Sequence, residues 1–183
     1  CEESQRVTIE FRKAGWTAFS CDIQDCSGGF PEWHIKGDCL PLINGSCAFT
    51  TCDGTTHFIN NRWDLIIGHP PCTYLSKAGA NRMYPKPGII DLSRFENALA
   101  ARDFFLRILN ANCDHICVEN PVPLHICDLP LKSQVIEPYY FGDPYSKKTY
   151  LWLKGLNHLK PTNILKNHST FVTSVHSQKI RSK

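Results

Sequence analysis

The 183-residue sequence has no apolar run long enough to span a bilayer, and its opening residues do not read as a signal peptide. It also lacks a strong charge of either sign. Twenty Lys and Arg stand against seventeen Asp and Glu, a net of +3, so any polyanion-binding surface is a local patch rather than a global field. There is no internal repeat and no low-complexity tract, which excludes solenoids and linker-like chains. Cysteine is plentiful, but C-x-x-C is missing. The tightest pairs are Cys21/Cys26, Cys47/Cys52 and Cys113/Cys117, and none has the usual zinc-ligand spacing. Strand and helix patterns run through most of the chain. The ten cysteines therefore read as the reduced thiols of a cytoplasmic protein, not as a disulfide framework. With 42% apolar residues, residues 1–183 can bury one core as a single domain.

The stretch that organises the rest is Trp63 to Ser76. Leu65 to Ile67 reads as a short buried strand, ended by Gly68 and followed by a stiff Pro70-Pro71. The first residue past the prolines is Cys72. A thiol on the loop at a strand's carboxyl end is a candidate nucleophile, and the alternative is a buried structural cysteine.

Around this stretch the pattern alternates. Residues 5–14 have apolar positions at helical spacing, with Ser4 as N-cap and Gly15 as C′ stop. Thr17 to Asp22 and His34 to Cys39 read as strands that end on or next to Asp22 and Asp38. Such acids hold a nucleoside in an α/β half-domain, or else serve as loop residues. Residues 44–62 read as an irregular excursion. Lys77 to Ile90, with Lys77, Arg82 and Lys86, reads as a basic irregular loop. It is either a mobile cover over a phosphate-bearing substrate or a solvated surface loop. Asp91 or Ser93 caps a helix from Leu92 to Leu109, and Asp114 to Pro121 forms a strand ending in Glu119-Asn120-Pro121. Val135 to Phe141 and Lys147 to Leu153 complete the strands. His158, His168 and His176 are scattered along the polar remainder and read as surface residues.

In this order the motifs resemble the DNA cytosine-5 methyltransferases. Pro71-Cys72 with Ser76 resembles the catalytic Pro-Cys loop, Val118-Glu119-Asn120 the Glu-Asn motif, and Asp22 and Gly37-Asp38 the ribose and adenine positions. Cys1-Glu2-Glu3-Ser4-Gln5, His69 to Ser76 and Lys148 to Leu153 resemble a short form of that family common in phages and prophages. The resemblance implies a Rossmann-like class I methyltransferase sheet, mostly parallel with an antiparallel last strand and helices on both faces. It implies S-adenosylmethionine as cofactor, contacted by Cys1, Glu2, Glu3, Ser4, Asp22, Ile23, Asp38, Cys39, His69 and Pro70. It implies Cys72, Glu119, Asn120 and Lys148 as catalytic residues, with Pro71, Ser76, Lys77 and Arg82 toward a substrate that is DNA or a cytosine nucleotide.

Cys72 would add to carbon 6 of cytosine and Glu119 would hold the ring. Lys148, where the family usually carries Arg, would help keep the thiol ionised. The chain departs from the family in lacking a glycine-rich first motif. On the same comparison its first strand and its closing motif are expected outside residues 1–183, and residues 1–183 are expected to hold no separate target-recognition domain. The alternative reading is a related protein that has lost catalysis and binds nucleotide, DNA or a host factor.

Overall fold

A computed structural model describes residues 1–170. Its helices are α1 (Arg6–Lys13), α2 (Ala80–Met83) and α3 (Leu92–Leu109). Its strands are β1 (Ser20–Asp22), β2 (His34–Lys36), β3 (Cys47–Thr50), β4 (Thr56–Ile59), β5 (Ile66–Gly68), β6 (Ile116–Pro121), β7 (Gln134–Ile136), β8 (Tyr145–Ser146), β9 (Thr149–Lys154) and β10 (Ser169–Thr170).

The expected mostly parallel Rossmann-like sheet is not what these strands form. Among the described residues they make four small separate sheets: β1-β2, β3-β4, β8-β10 and the four-stranded β5-β6-β9-β7. In the last, only β5 and β6 run parallel, because β9 lies between β6 and β7 and is antiparallel to both. The molecule is a small mixed α/β fold. Short strands are the physical reason: β1, β2, β5 and β7 each have three residues, too few to carry a continuous wide ladder.

Locally the chain often follows its pattern. Helix α3 begins at Asp91, whose carboxylate accepts the Arg94 N–H at 2.8 Å. Helix α1 differs at its start. Its N-cap is Gln5 at φ 57°, and Glu2 rather than Ser4 supplies the capping oxygens, to Val7 N–H at 2.6 Å and the Thr8 hydroxyl at 2.8 Å. A carboxylate there also complements the positive end of the helix dipole. The span 44–62 is not irregular throughout, since β3 and β4 form an antiparallel hairpin within it. The span 77–90 holds a 3-10 turn at Lys77–Gly79 and then α2. Met83 is fully buried and its carbonyl accepts the Asp91 N–H, so this span is anchored at both ends. His158 and His168 are exposed, and His168 stacks on Tyr139 at 3.8 Å between ring centres. His176 lies outside the described residues.

The core is α3 laid on the four-stranded sheet. Ala98, Phe105 and Ile108 meet Ile116, Val118 and Trp152, with Leu75, Met83, Leu124 and Cys127 completing the cluster. Strand β6 alternates buried and half-buried residues, which sends Ile116, Val118 and Asn120 to the core face and Cys117 and Glu119 to the other. Gly68 ends β5 where α3 comes closest. A Cβ there would lie 2.9 Å from Ile108 Cγ2, so a larger residue would push the helix away. No helix of the described residues is long and apolar enough to cross a membrane.

Candidate functional site

The carboxyl ends of β5 and β6 and the start of β9 share one end of the sheet. The β5–β6 register pairs Gly68 with Val118, and one residue further it brings His69 opposite Glu119. Their side chains meet, His69 Nδ1 lying 3.5 Å from Glu119 Oε2, with His69 35% and Glu119 23% exposed. On the far side of β6, Pro121 pairs with Thr149, so Lys148 enters at the same end.

The Cys72 loop is tied to this end by main-chain bonds. The Cys72 carbonyl accepts from Leu75 N–H at 3.1 Å and Ser76 N–H at 3.0 Å, which folds the loop into a turn. Leu124 N–H then bonds the Leu75 carbonyl at 2.6 Å, and Lys77 N–H the Val122 carbonyl at 2.9 Å. These bonds stitch the Cys72 loop to the chain leaving Glu119. Cys72 itself is half-buried.

One residue of this loop's support escaped the sequence reading. Arg94, in the first turn of α3, donates from Nη2 to the Thr73 carbonyl at 2.6 Å, and its guanidinium lies 4.9 Å from the Tyr74 ring centre. Gly79 makes room for it, because a Cβ there would sit 2.6 Å from Arg94 Nη2. A signal was present: an Arg in a helix's first turn opposes the dipole, so its place calls for a specific contact.

Asn120 is fully buried, and neither amide atom has a partner in the structure. Its backbone belongs to the β6–β9 ladder, so alternation along the strand sends the amide into the core. Leaving a buried polar group unpaired costs about 1–3 kcal/mol. Of the residues assigned to substrate, Pro71, Lys77 and Arg82 are exposed and Ser76 is buried in its bridge to Pro123.

The residues assigned to the cofactor divide. Asp22 and Asp38 lie at the ends of the paired strands β1 and β2, where Gly37 N–H bonds the Asp22 carbonyl. Each uses Oδ1 on its own turn, Asp22 toward Gln24 N–H and Asp38 toward Leu40 N–H. That geometry leaves the acids at a strand-end rim, with carboxylate oxygens able to accept from hydroxyl and amine groups. Ile23 is 76% exposed beside them, and the half-buried Cys39 and His69 line the cavity next to the rim. Glu2 and Glu3 are otherwise engaged, Glu2 in capping α1 and Glu3 in accepting the Ser27 hydroxyl at 2.5 Å. Cys1 lines the cavity, Ser4 is half-buried before α1, and Pro70 is buried between His69 and the Cys72 loop. Asp22, Asp38 and Ile23 thus lie at the strand-end rim and His69 lines the adjoining cavity, whereas Glu2 is held by the protein itself.

All ten cysteines are free thiols, and among the described residues no group of three or more His, Cys, Asp or Glu is placed to hold a metal ion. Burial pushes the Cys117 thiol up to about 11, with the Glu119 charge adding to it. Burial likewise raises Cys21 to about 11, helped by Cys39, Asp22 and Asp38. The thiolate is the reactive form, so at pH 8 little of Cys21 or Cys117 is in a reactive state. Iodoacetamide mapped by mass spectrometry at pH 8 should mark exposed Cys52 and spare Cys21 and Cys117, whose labelling rises as pH approaches 11. Fast labelling of Cys117 at pH 8 would contradict the closed β6 face.

No protein-family model matches the chain, and no curated protein or solved structure does.

Proposed function

We propose that the chain is a cytosine-5 methyltransferase acting on cytosine in DNA or in a nucleotide, with S-adenosylmethionine as the methyl donor. One observation carries the reading. A half-buried Cys72 on a strand-end loop is bonded through Leu75 and Lys77 to the segment that follows Glu119 on the neighbouring parallel strand. A thiol and a carboxylate so related suit addition to an electron-poor ring. The proposal rests on this arrangement and on the motif resemblance, not on sheet topology.

Carbon 5 of cytosine is a weak nucleophile. When the Cys72 thiolate bonds carbon 6, the ring electrons move to carbon 5 as an enamine. Glu119 brings a proton to N3 and accepts from the exocyclic amine, stabilising the negative charge that arrives on the ring. His69, 3.5 Å from Glu119, orients that carboxylate, and Lys148 adds positive charge at the same sheet end. S-adenosylmethionine, when bound, supplies an electrophilic methyl group. Asp22 and Asp38 would hold its hydroxyl and amine groups. Proton loss from carbon 5 and elimination of the Cys72 thiolate restore the aromatic ring. A base within a duplex must first be flipped out, at about a few kcal/mol.

The test offers methyl-labelled S-adenosylmethionine with duplex DNA, single-stranded DNA and deoxycytidine monophosphate in parallel. Label at carbon 5 of cytosine is expected in at least one. The Glu119→Gln protein should transfer about 10²–10⁴-fold more slowly, because an amide cannot deliver a proton to N3 as the ring takes up negative charge. No label in any substrate, from protein shown to be folded, would instead favour a binding protein without catalysis. The engagement of Glu2 and Glu3 within the protein is the observation on that side.

A further inference from the structure

Charge is divided along the chain far more sharply than its net of +3 suggests. Residues 1–143 carry seventeen Asp and Glu against twelve Lys and Arg, whereas residues 144–183 carry eight Lys and Arg and no acid. A basic block of this kind points toward a polyanion. The fold brings part of it to the candidate site. Ile136 of β7 and Pro121 of β6 both pair with Thr149, so the chain leaving β7 emerges at the sheet end that holds Glu119 and Lys148. There Pro138–Tyr140 forms a 3-10 turn. The basic segment then returns against that turn. Thr162 N–H and Asn163 N–H bond the Tyr140 carbonyl, each at 3.1 Å, and Leu165 N–H bonds the Tyr139 carbonyl at 2.9 Å. Lys160 and Lys166 stand on either side of this seam. Both are exposed, and neither is ion-paired among the described residues.

A flat ring lies over the seam. His168 stacks on Tyr139 with ring centres 3.8 Å apart and an interplanar angle of 3°. Tyr139 is half-buried and His168 exposed, so one face of the imidazole is covered and the other meets solvent. An open aromatic face beside unpaired lysines suits a nucleobase that has left its own stack, with the lysines on the neighbouring phosphates. We propose that Lys160, Lys166 and the His168–Tyr139 stack form a binding surface for single-stranded DNA, leading to the Glu119 end of the sheet. The choice of DNA rests on the cytosine reading above, while the surface itself is read from charge and stacking. In a duplex both faces of each base are already covered, so the His168 ring gains nothing there. A free nucleotide carries phosphate at a single point, whereas Lys160 and Lys166 are separated by the whole seam. A single strand also presents its cytosine without the cost of extracting it from a helix.

The experiment measures fluorescence anisotropy of the full chain, without S-adenosylmethionine, against a labelled thymidine strand of about twenty nucleotides. That exceeds the about 4–16 nucleotides of a usual single-strand site. The strand has no cytosine, so its binding reads the surface rather than the candidate catalytic site. A duplex of equal length is the second probe and should bind at least about tenfold more weakly. His168→Ala should weaken strand binding about tenfold, the loss of one stacked base, and His168→Phe should keep it by retaining a ring on Tyr139. Replacing Lys160 and Lys166 by Gln should flatten the log–log salt dependence by about 0.7 for each lysine. Duplex bound as tightly as the strand, unchanged affinity in His168→Ala, equal losses in His168→Ala and His168→Phe, or an unaltered salt slope would each overturn the proposal. The two readings fail separately. Strand binding that follows these variants, with methyl transfer absent from every substrate, would uphold the surface and remove the cytosine reading. Methyl transfer with no preference for the strand would do the reverse.

Discussion

The Cys72→Ala protein should fold normally and transfer methyl groups about 10⁴-fold more slowly or worse. Folding is expected to survive because the loop is held through main-chain groups, with the Cys72 carbonyl accepting from Leu75 and Ser76. The side chain contributes little to that turn. The rate collapses because nothing else at the site can make the bond to carbon 6. Of the neighbouring thiols, Cys117 is kept protonated by burial and by Glu119, with a pKa of about 11. DNA containing 5-fluorocytosine gives a second readout. Fluorine cannot leave carbon 5 as a cation, so the adduct with Cys72 cannot eliminate and a covalent complex accumulates. Cys72→Ala should form none, while Cys117→Ala should still form it. Wild-type rates in the Cys72→Ala protein would remove the cysteine mechanism.

The Phe105→Ala substitution should cost about 3–5 kcal/mol of folding stability. Phe105 is fully buried toward the C-terminal end of α3 and meets Trp152 edge-to-face, with ring centres 4.9 Å apart at 81°. The lost aromatic pair accounts for about 0.5–1.5 kcal/mol within that cost, and the cavity left between helix and sheet for much of the rest. A domain of this size loses about 2–4 °C of melting temperature per kcal/mol, so the midpoint should fall by about 10 °C. Urea unfolding followed by tryptophan fluorescence checks it directly, because Trp152 is 2% exposed and donates its indole N–H to the Pro130 carbonyl. Phe105→Leu, which keeps most of the volume, should cost less. A Phe105→Ala loss below about 1 kcal/mol would mean that α3 is not anchored on the sheet as described.

Much of the local structure was legible in the residues. The helical spacing from Leu92 to Leu109, its Asp91 cap and the Gly15 stop after α1 all follow from short-range steric and hydrogen-bonding rules. The alternation along Ile116 to Pro121 likewise decides which residues face the core. Less was legible at α1's start, where Ser4 is the better cap by residue type and Glu2 reaches the helix instead. The Cys47–Ile59 hairpin was hidden because its turn holds the chain through Thr51 and Asp53 side chains, which composition reads as loop.

The site was legible only as separate strand-end residues. Cys72, Glu119 and Lys148 could be named from the sequence, but their common sheet end depends on β9 returning antiparallel beside β6. The Arg94 bond to Thr73 depends on how α3 meets the Cys72 loop. The error in sheet class has the same origin. Apolar runs specify that strands exist, and their period specifies which face is buried. Neither specifies which strands become neighbours. That is decided by long-range peptide pairing and by the packing of α3 over β5, β6 and β9, where Gly68, Ile108, Phe105 and Trp152 set the spacing. By itself the sequence determined α1, α3 and the strand at Ile116 to Pro121, the thiols' positions along the chain and the candidate nucleophile. Only the tertiary structure decided that the strands divide into small sheets and that His69 stands against Glu119, because both depend on contacts between residues far apart in the chain.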